Sequence, residues 1–111
     1  MRKLLVPVLA TAVAAALASP ALGATRVKVG DNYFVRASGV PTVTVSRNTV
    51  VKWVWKGSSL HNVKVASGPA RFGSTSKTSG KYRKRVKTKG TYTLYCSVHG
   101  IDDQSMKLVV R

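Results

Sequence analysis

From residue 24 onward, apolar and polar positions alternate with a period of two, and Gly, Pro, Asn or Ser breaks the alternation about every eight to twelve residues. This pattern predicts strands at Thr25–Val29, Tyr33–Arg36, Thr42–Val45, Val50–Trp55, His61–Ala66, Lys81–Lys87, Thr91–Cys96 and Lys107–Val110. Turn signals separate them, among them Gly30-Asp31-Asn32, Gly39-Val40-Pro41, Arg47-Asn48, Gly57-Ser58-Ser59, Gly68-Pro69 and Lys89-Gly90. No long window sustains a helical period. Short strands at this spacing predict an all-β fold, an antiparallel sandwich or barrel of about seven to eight strands.

The alternation also assigns faces. In Val50–Trp55, Val51, Trp53 and Trp55 share one face, opposite Lys52. In Thr91–Cys96, Tyr92, Leu94 and Cys96 point inward and Thr91, Thr93 and Tyr95 outward, so the Cys96 sulfur is aimed into the core at a strand end. Lys81–Lys87 offers only Tyr82 and Val86 to an interior, with Lys84 awkward between them, and reads as an edge strand protected by its charges.

Residues 1–23 follow another pattern. Met1-Arg2-Lys3 is positive, Leu4–Leu22 is almost wholly apolar, and small residues follow. These are the parts of an export signal, cut near residues 21–24, which leaves one domain, residues 24–111. An uncleaved anchor is the competing reading, weakened by Pro7, Ser19 and Pro20. The expected location is therefore the periplasm, the cell envelope or the medium.

Charge narrows the partners. The chain holds 19 Lys and Arg against 3 acidic residues, a net +16, and contains no glutamate. Setting aside Arg2 and Lys3 leaves 17 basic side chains in the predicted domain. Such a field favours an acidic redox protein or an anionic envelope surface, and it discourages self-association, so a monomer is expected. The basic run at 81–87 with its aromatic neighbour would also suit nucleic acid, but export argues against it.

The remaining chemistry is concentrated in few residues. After residue 24 there is one cysteine, Cys96, with two histidines, His61 and His99, and one methionine, Met106. An internal disulfide is impossible, so the exported thiol is an intermolecular bridge, an inert buried group or a metal-bound thiolate. Singly, each residue has an ordinary explanation as core or strand. Together, two imidazoles, a thiolate and a thioether are the donor set of a blue-copper electron-transfer centre. Cys96 and His99 lie three apart on a predicted turn, Met106 ends the same loop, and His61 comes from a separate strand. No spare histidine exists for further copper ions, which excludes a multicopper catalyst, and no enzyme activity is expected.

The chain resembles the plastocyanin-like cupredoxins from Val27 to Val110. The segments that carry the resemblance are Val27–Phe34, Val51–Trp55, Leu60-His61-Asn62-Val63, Ser67–Phe72 and Gly90-Thr91-Tyr92-Thr93-Leu94-Tyr95-Cys96-Ser97-Val98-His99. The resemblance implies a Greek-key β-sandwich and one copper ion shuttling single electrons. It implies His61, Cys96 and His99 in a trigonal plane with Met106 as a long axial ligand. Asn62 would tie its strand to the cysteine loop, and Tyr95 and His99 would be electron routes. One feature departs from the family: six residues separate His99 from Met106, whereas the plastocyanin-type loop has four, a spacing that here falls on Gln104. Met106 is favoured because it stands just before the closing apolar strand, and Gln104 is the alternative axial ligand. Asp102 and Asp103 in this loop are expected to lower the reduction potential. Two other functions remain open: copper sequestration or delivery in the envelope, and envelope binding with an incidental metal site.

Overall fold

The computed structural model describes residues 24–111; the expected export signal, residues 1–23, lies outside the described residues. Eight strands and no helix form among them: β1 (Thr25–Gly30), β2 (Tyr33–Phe34), β3 (Thr42–Val45), β4 (Val50–Trp55), β5 (Lys64–Ser67), β6 (Lys81–Arg85), β7 (Gly90–Tyr95) and β8 (Ser105–Val110). They pack as two four-stranded sheets, ordered β2-β1-β4-β6 and β3-β8-β7-β5. This is the all-β sandwich expected from the pattern. The sheets are mixed rather than purely antiparallel. β1 runs parallel to β4 from Thr25↔Val51 to Val29↔Trp55, and β3 runs parallel to β8 from Thr42↔Lys107 to Val45↔Val110. Crossover connections that place non-consecutive strands side by side cause this.

The core lies between the sheets and follows the period of two. β1 and β4 contribute Val27, Val29, Val51, Trp53 and Trp55; β7 and β8 contribute Tyr92, Leu94, Met106, Leu108 and Val110. Trp53 stacks on Tyr82 with ring centroids 5.5 Å apart, and Phe72 bridges Trp53 and Tyr92 at 6.2 and 5.7 Å. The Tyr92 hydroxyl donates to Thr88 O at 2.6 Å, which pins the turn entering β7. β6 is an edge strand, as its charges predict. Lys84, inward in the register opposite Val51, lays its ammonium 5.7 Å over the Phe72 ring.

Three predicted strands are shorter in the structure, and of these Lys81–Lys87 simply ends at Arg85. Tyr33–Arg36 keeps only Tyr33–Phe34, because Val35 takes φ 68°, a left-handed conformation that a β-branched residue adopts at a cost and that no strand can contain. His61–Ala66 becomes Lys64–Ser67. His61 pairs with Lys77 instead, donating its N–H to Lys77 O at 3.0 Å and accepting from Lys77 N at 2.9 Å, while Val63 O accepts from Ser74 N. The segment 61–63 thus turns away from β7 and over the end of the sandwich, where the cysteine lies.

Candidate metal centre

Cys96 follows β7 and leaves the ladder as the strand pair opens. Its N–H donates to Gln104 O at 3.1 Å, so Gln104 stands across from it one step beyond the last paired residues, Tyr95 and Ser105. Between them the chain closes tightly: Gly100 N donates to Cys96 O at 2.8 Å, and Gln104 N donates to Gly100 O at 3.0 Å. This turn carries His99 back over Cys96. His61 reaches the same point from the segment between β4 and β5.

The three side chains form one cluster, with donor atoms all within 4.8 Å of one another. Cys96 Sγ lies 3.6 Å from His99 Nδ1 and 4.0 Å from His61 Nδ1, and the two imidazole centroids are 4.8 Å apart. One ion bound at about 2.05 Å by nitrogen and 2.3 Å by sulfur, at a 120° angle, needs a separation of about 3.8 Å between those atoms. The observed distances bracket that value, so the donor set fits a single metal ion. Cys96 and His61 are fully buried and His99 is half-buried. The Asn62 backbone N–H points at Cys96 Sγ from 3.5 Å.

Asn62 also fastens the two segments together. Its Oδ1 accepts from Ser97 N at 2.8 Å, and its Nδ2 donates to Ser97 Oγ at 2.8 Å and to Ser76 Oγ at 3.1 Å. Tyr95, half-buried, precedes Cys96 and pairs with Lys64 and Ser105. Met106 is fully buried in β8, in register with Leu94. Gln104 is buried too, and its Oε1 lies 2.9 Å from His61 Nδ1. Asp102 and Asp103 are exposed on the loop and are not members of the three-donor cluster.

The structure adds a residue that sequence reading took only for a turn former. Asp31 Oδ1 lies 2.8 Å from His61 Nε2, the ring nitrogen turned away from the sulfur. The same carboxylate accepts the backbone N–H groups of Ser58 and Ser59 at 3.0–3.2 Å. The His61 contact first, and these backbone donors next, hold its carboxyl well below the usual range. Gly57 is required here, because a Cβ at this position would collide with the Asp31 carboxylate. A carboxylate against the outer nitrogen of a metal-binding histidine fixes the ring's orientation and raises its basicity. The available signal was scarcity: Asp31 is one of only 3 acidic residues in the chain.

Exposed apolar side chains lie close in sequence to His61 and His99. Leu60, Val98 and Ile101 are each 44–45 % exposed, and they flank the two histidines in sequence. Large exposed hydrophobics are otherwise few among the described residues, Val40 being the other. The charge lies elsewhere. Arg26, Lys52 and Arg83 sit directly opposite one another across β1, β4 and β6, and Lys28 and Lys81 flank Val54 two residues along. Burial first, and then Arg26, Arg83 and Lys81, push the Lys52 ammonium below its ordinary value.

No family model matches the chain, and a search of curated proteins finds no match. Solved structures do match over nearly the whole described domain. A methionine-to-glutamine mutant of amicyanin in the Cu(I) state superposes with TM-score 0.67 at 24% identity, covering 80% of this chain and 83% of that one. A reduced tryptophan-to-tyrosine mutant of amicyanin gives 0.66 at 22% identity over the same shares. The oxidized state of a proline-to-alanine mutant gives 0.66 at 24%, again with 80% and 83% covered. The chain therefore has the amicyanin fold.

Proposed function

We propose that this protein is an exported type 1 copper protein that carries single electrons between redox partners and has no catalysis of its own. The observation that carries the reading is the His61–Cys96–His99 cluster, whose donor identity and spacing suit one copper ion at the end of an amicyanin-like sandwich. Copper there would supply a one-electron Cu(I)/Cu(II) couple, with soft thiolate suiting the reduced state and imidazole suiting both.

The chain's own residues do the rest. Both histidines turn Nδ1 toward the sulfur, and Asp31 holds the far side of the His61 ring. Asn62 ties the His61 segment to the cysteine loop, so the donors keep their places when the charge at the site changes. Burial of Cys96 keeps water from the sulfur. His99, half-buried beside Val98, is the short way in and out for an electron, and Tyr95 is a second route beside Cys96. The apolar rim of Leu60, Val98 and Ile101 suits close, dry contact with a partner. The basic sheet draws an acidic partner or an anionic envelope surface toward it. A fourth donor would complete the set, for which the ligand loop offers Met106 and Gln104.

The experiment is voltammetry of the copper-loaded protein together with copper transfer to a chelator. The proposal expects a reversible one-electron wave and slow release of copper. An irreversible wave with rapid release would replace electron carriage by copper delivery.

A further inference from the structure

We infer that the fourth donor to the proposed copper ion is the side-chain oxygen of Gln104, and that Met106 is a core residue one layer beneath it. This rests on the copper reading above. The first argument is register. Across the open end of the β7–β8 pair, Cys96 N donates to Gln104 O, so Gln104 is the cross-strand neighbour of the cysteine. Met106 is the neighbour of Leu94. Residues two apart on a strand share a face but lie about 6.6–6.8 Å apart along it. Met106 thus belongs to the layer of Leu94, fully buried like it, and Gln104 belongs to the layer of the metal cluster.

The second argument is the orientation of the amide. Gln104 Nε2 donates to two backbone carbonyls, Tyr33 O at 2.9 Å and Gly30 O at 3.1 Å. The flipped amide would press its oxygen against both carbonyl oxygens, so the amide orientation is fixed. Oε1 is thereby aimed at His61 Nδ1, 2.9 Å away, the same atom that faces Cys96 Sγ. A neutral oxygen held buried at the metal-facing nitrogen is a ready fourth donor. The β1–β2 corner then positions both this oxygen and, through Asp31, the far side of His61. An amide oxygen is harder than a thioether, so it favours Cu(II) over Cu(I) and lowers the potential relative to a methionine site.

The test compares the Cu(II)-loaded wild type with Gln104→Met and Met106→Leu by electron paramagnetic resonance, visible absorption and midpoint potential. Met106→Leu conserves volume, so it should fold. The inference expects its spectra and potential to match the wild type, and expects Gln104→Met to change the resonance and raise the potential. A shift in Met106→Leu with none in Gln104→Met would overturn it while leaving the copper reading intact. Absence of any copper–thiolate band in the wild type would overturn both. Should Gln104→Met fail to fold, Met106→Leu decides alone: unchanged spectra support the oxygen, and altered spectra reject it.

Discussion

Replacing Asn62 by Ala should loosen the loop that holds two of the three donors. The side chain is buried and makes three hydrogen bonds at 2.8–3.1 Å, two of them to Ser97, the residue after Cys96. A net worth of roughly 1 kcal/mol per bond sets about 3 kcal/mol as the gross loss. Ser97 is exposed, so water recovers part of its share, and about 2 kcal/mol is the working figure. For a domain of this size that corresponds to a fall in Tm of about 8–16 °C. The assay is thermal unfolding of the metal-free protein followed by circular dichroism. Copper affinity should be measured alongside, because His61 and Cys96 are held together through this contact. If Asn62→Ala melted within about 2 °C of the wild type and bound copper as tightly, the tie assigned to Asn62 would be refuted.

Other outcomes follow from charge. The Lys52 ammonium is lowered by burial and by like charges, so the fold carries a penalty while Lys52 is protonated, relieved as pH rises from its lowered value toward 10.5. Lys52→Gln should therefore raise the Tm at neutral pH and low salt, and it should shrink the stabilisation that added salt gives the wild type; a lower Tm for the variant would count against the repulsion. Asp31 has its carboxyl held below its ordinary 3.8, so its contribution is fully present above that pH and is lost as pH falls through the lowered value. Asp31→Asn should flatten the acid limb of the metal-free protein's stability curve, and an unchanged limb would show that the contact carries no stability. Reaction with an acidic redox partner should slow as salt rises, and a rate indifferent to salt would exclude steering by the basic sheet.

The period of two was enough to place the core. Val51, Trp53, Trp55, Tyr92, Leu94 and Cys96 are buried as the alternation requires, because each strand has one face on the interior. The spacing of Cys96 and His99 was legible for the same reason, since a turn at a strand end brings residues three apart together. Pairing between distant segments was not. Parallel contact of β1 with β4 depends on crossovers that leave no local mark. The strand expected from His61 begins only at Lys64 because 61–63 bonds to 74–77, a choice fixed by tertiary context. Asp31 stayed hidden because a Gly-Asp-Asn turn explains itself locally, without reference to a histidine 30 residues away. Which residue lies beside Cys96 depends on a register that loop length obscures: Met106 stands just before Leu108–Val110, whereas Cys96 N donates to Gln104 O.

The central claim, that His61, Cys96 and His99 hold one copper ion, is tested most directly by titrating the metal-free protein with Cu(II) and following visible absorption. The expected result is an intense blue copper–thiolate band that saturates at one copper per chain and is absent in Cys96→Ser. A protein that stays colourless, or a band that survives loss of the Cys96 thiol, would contradict it.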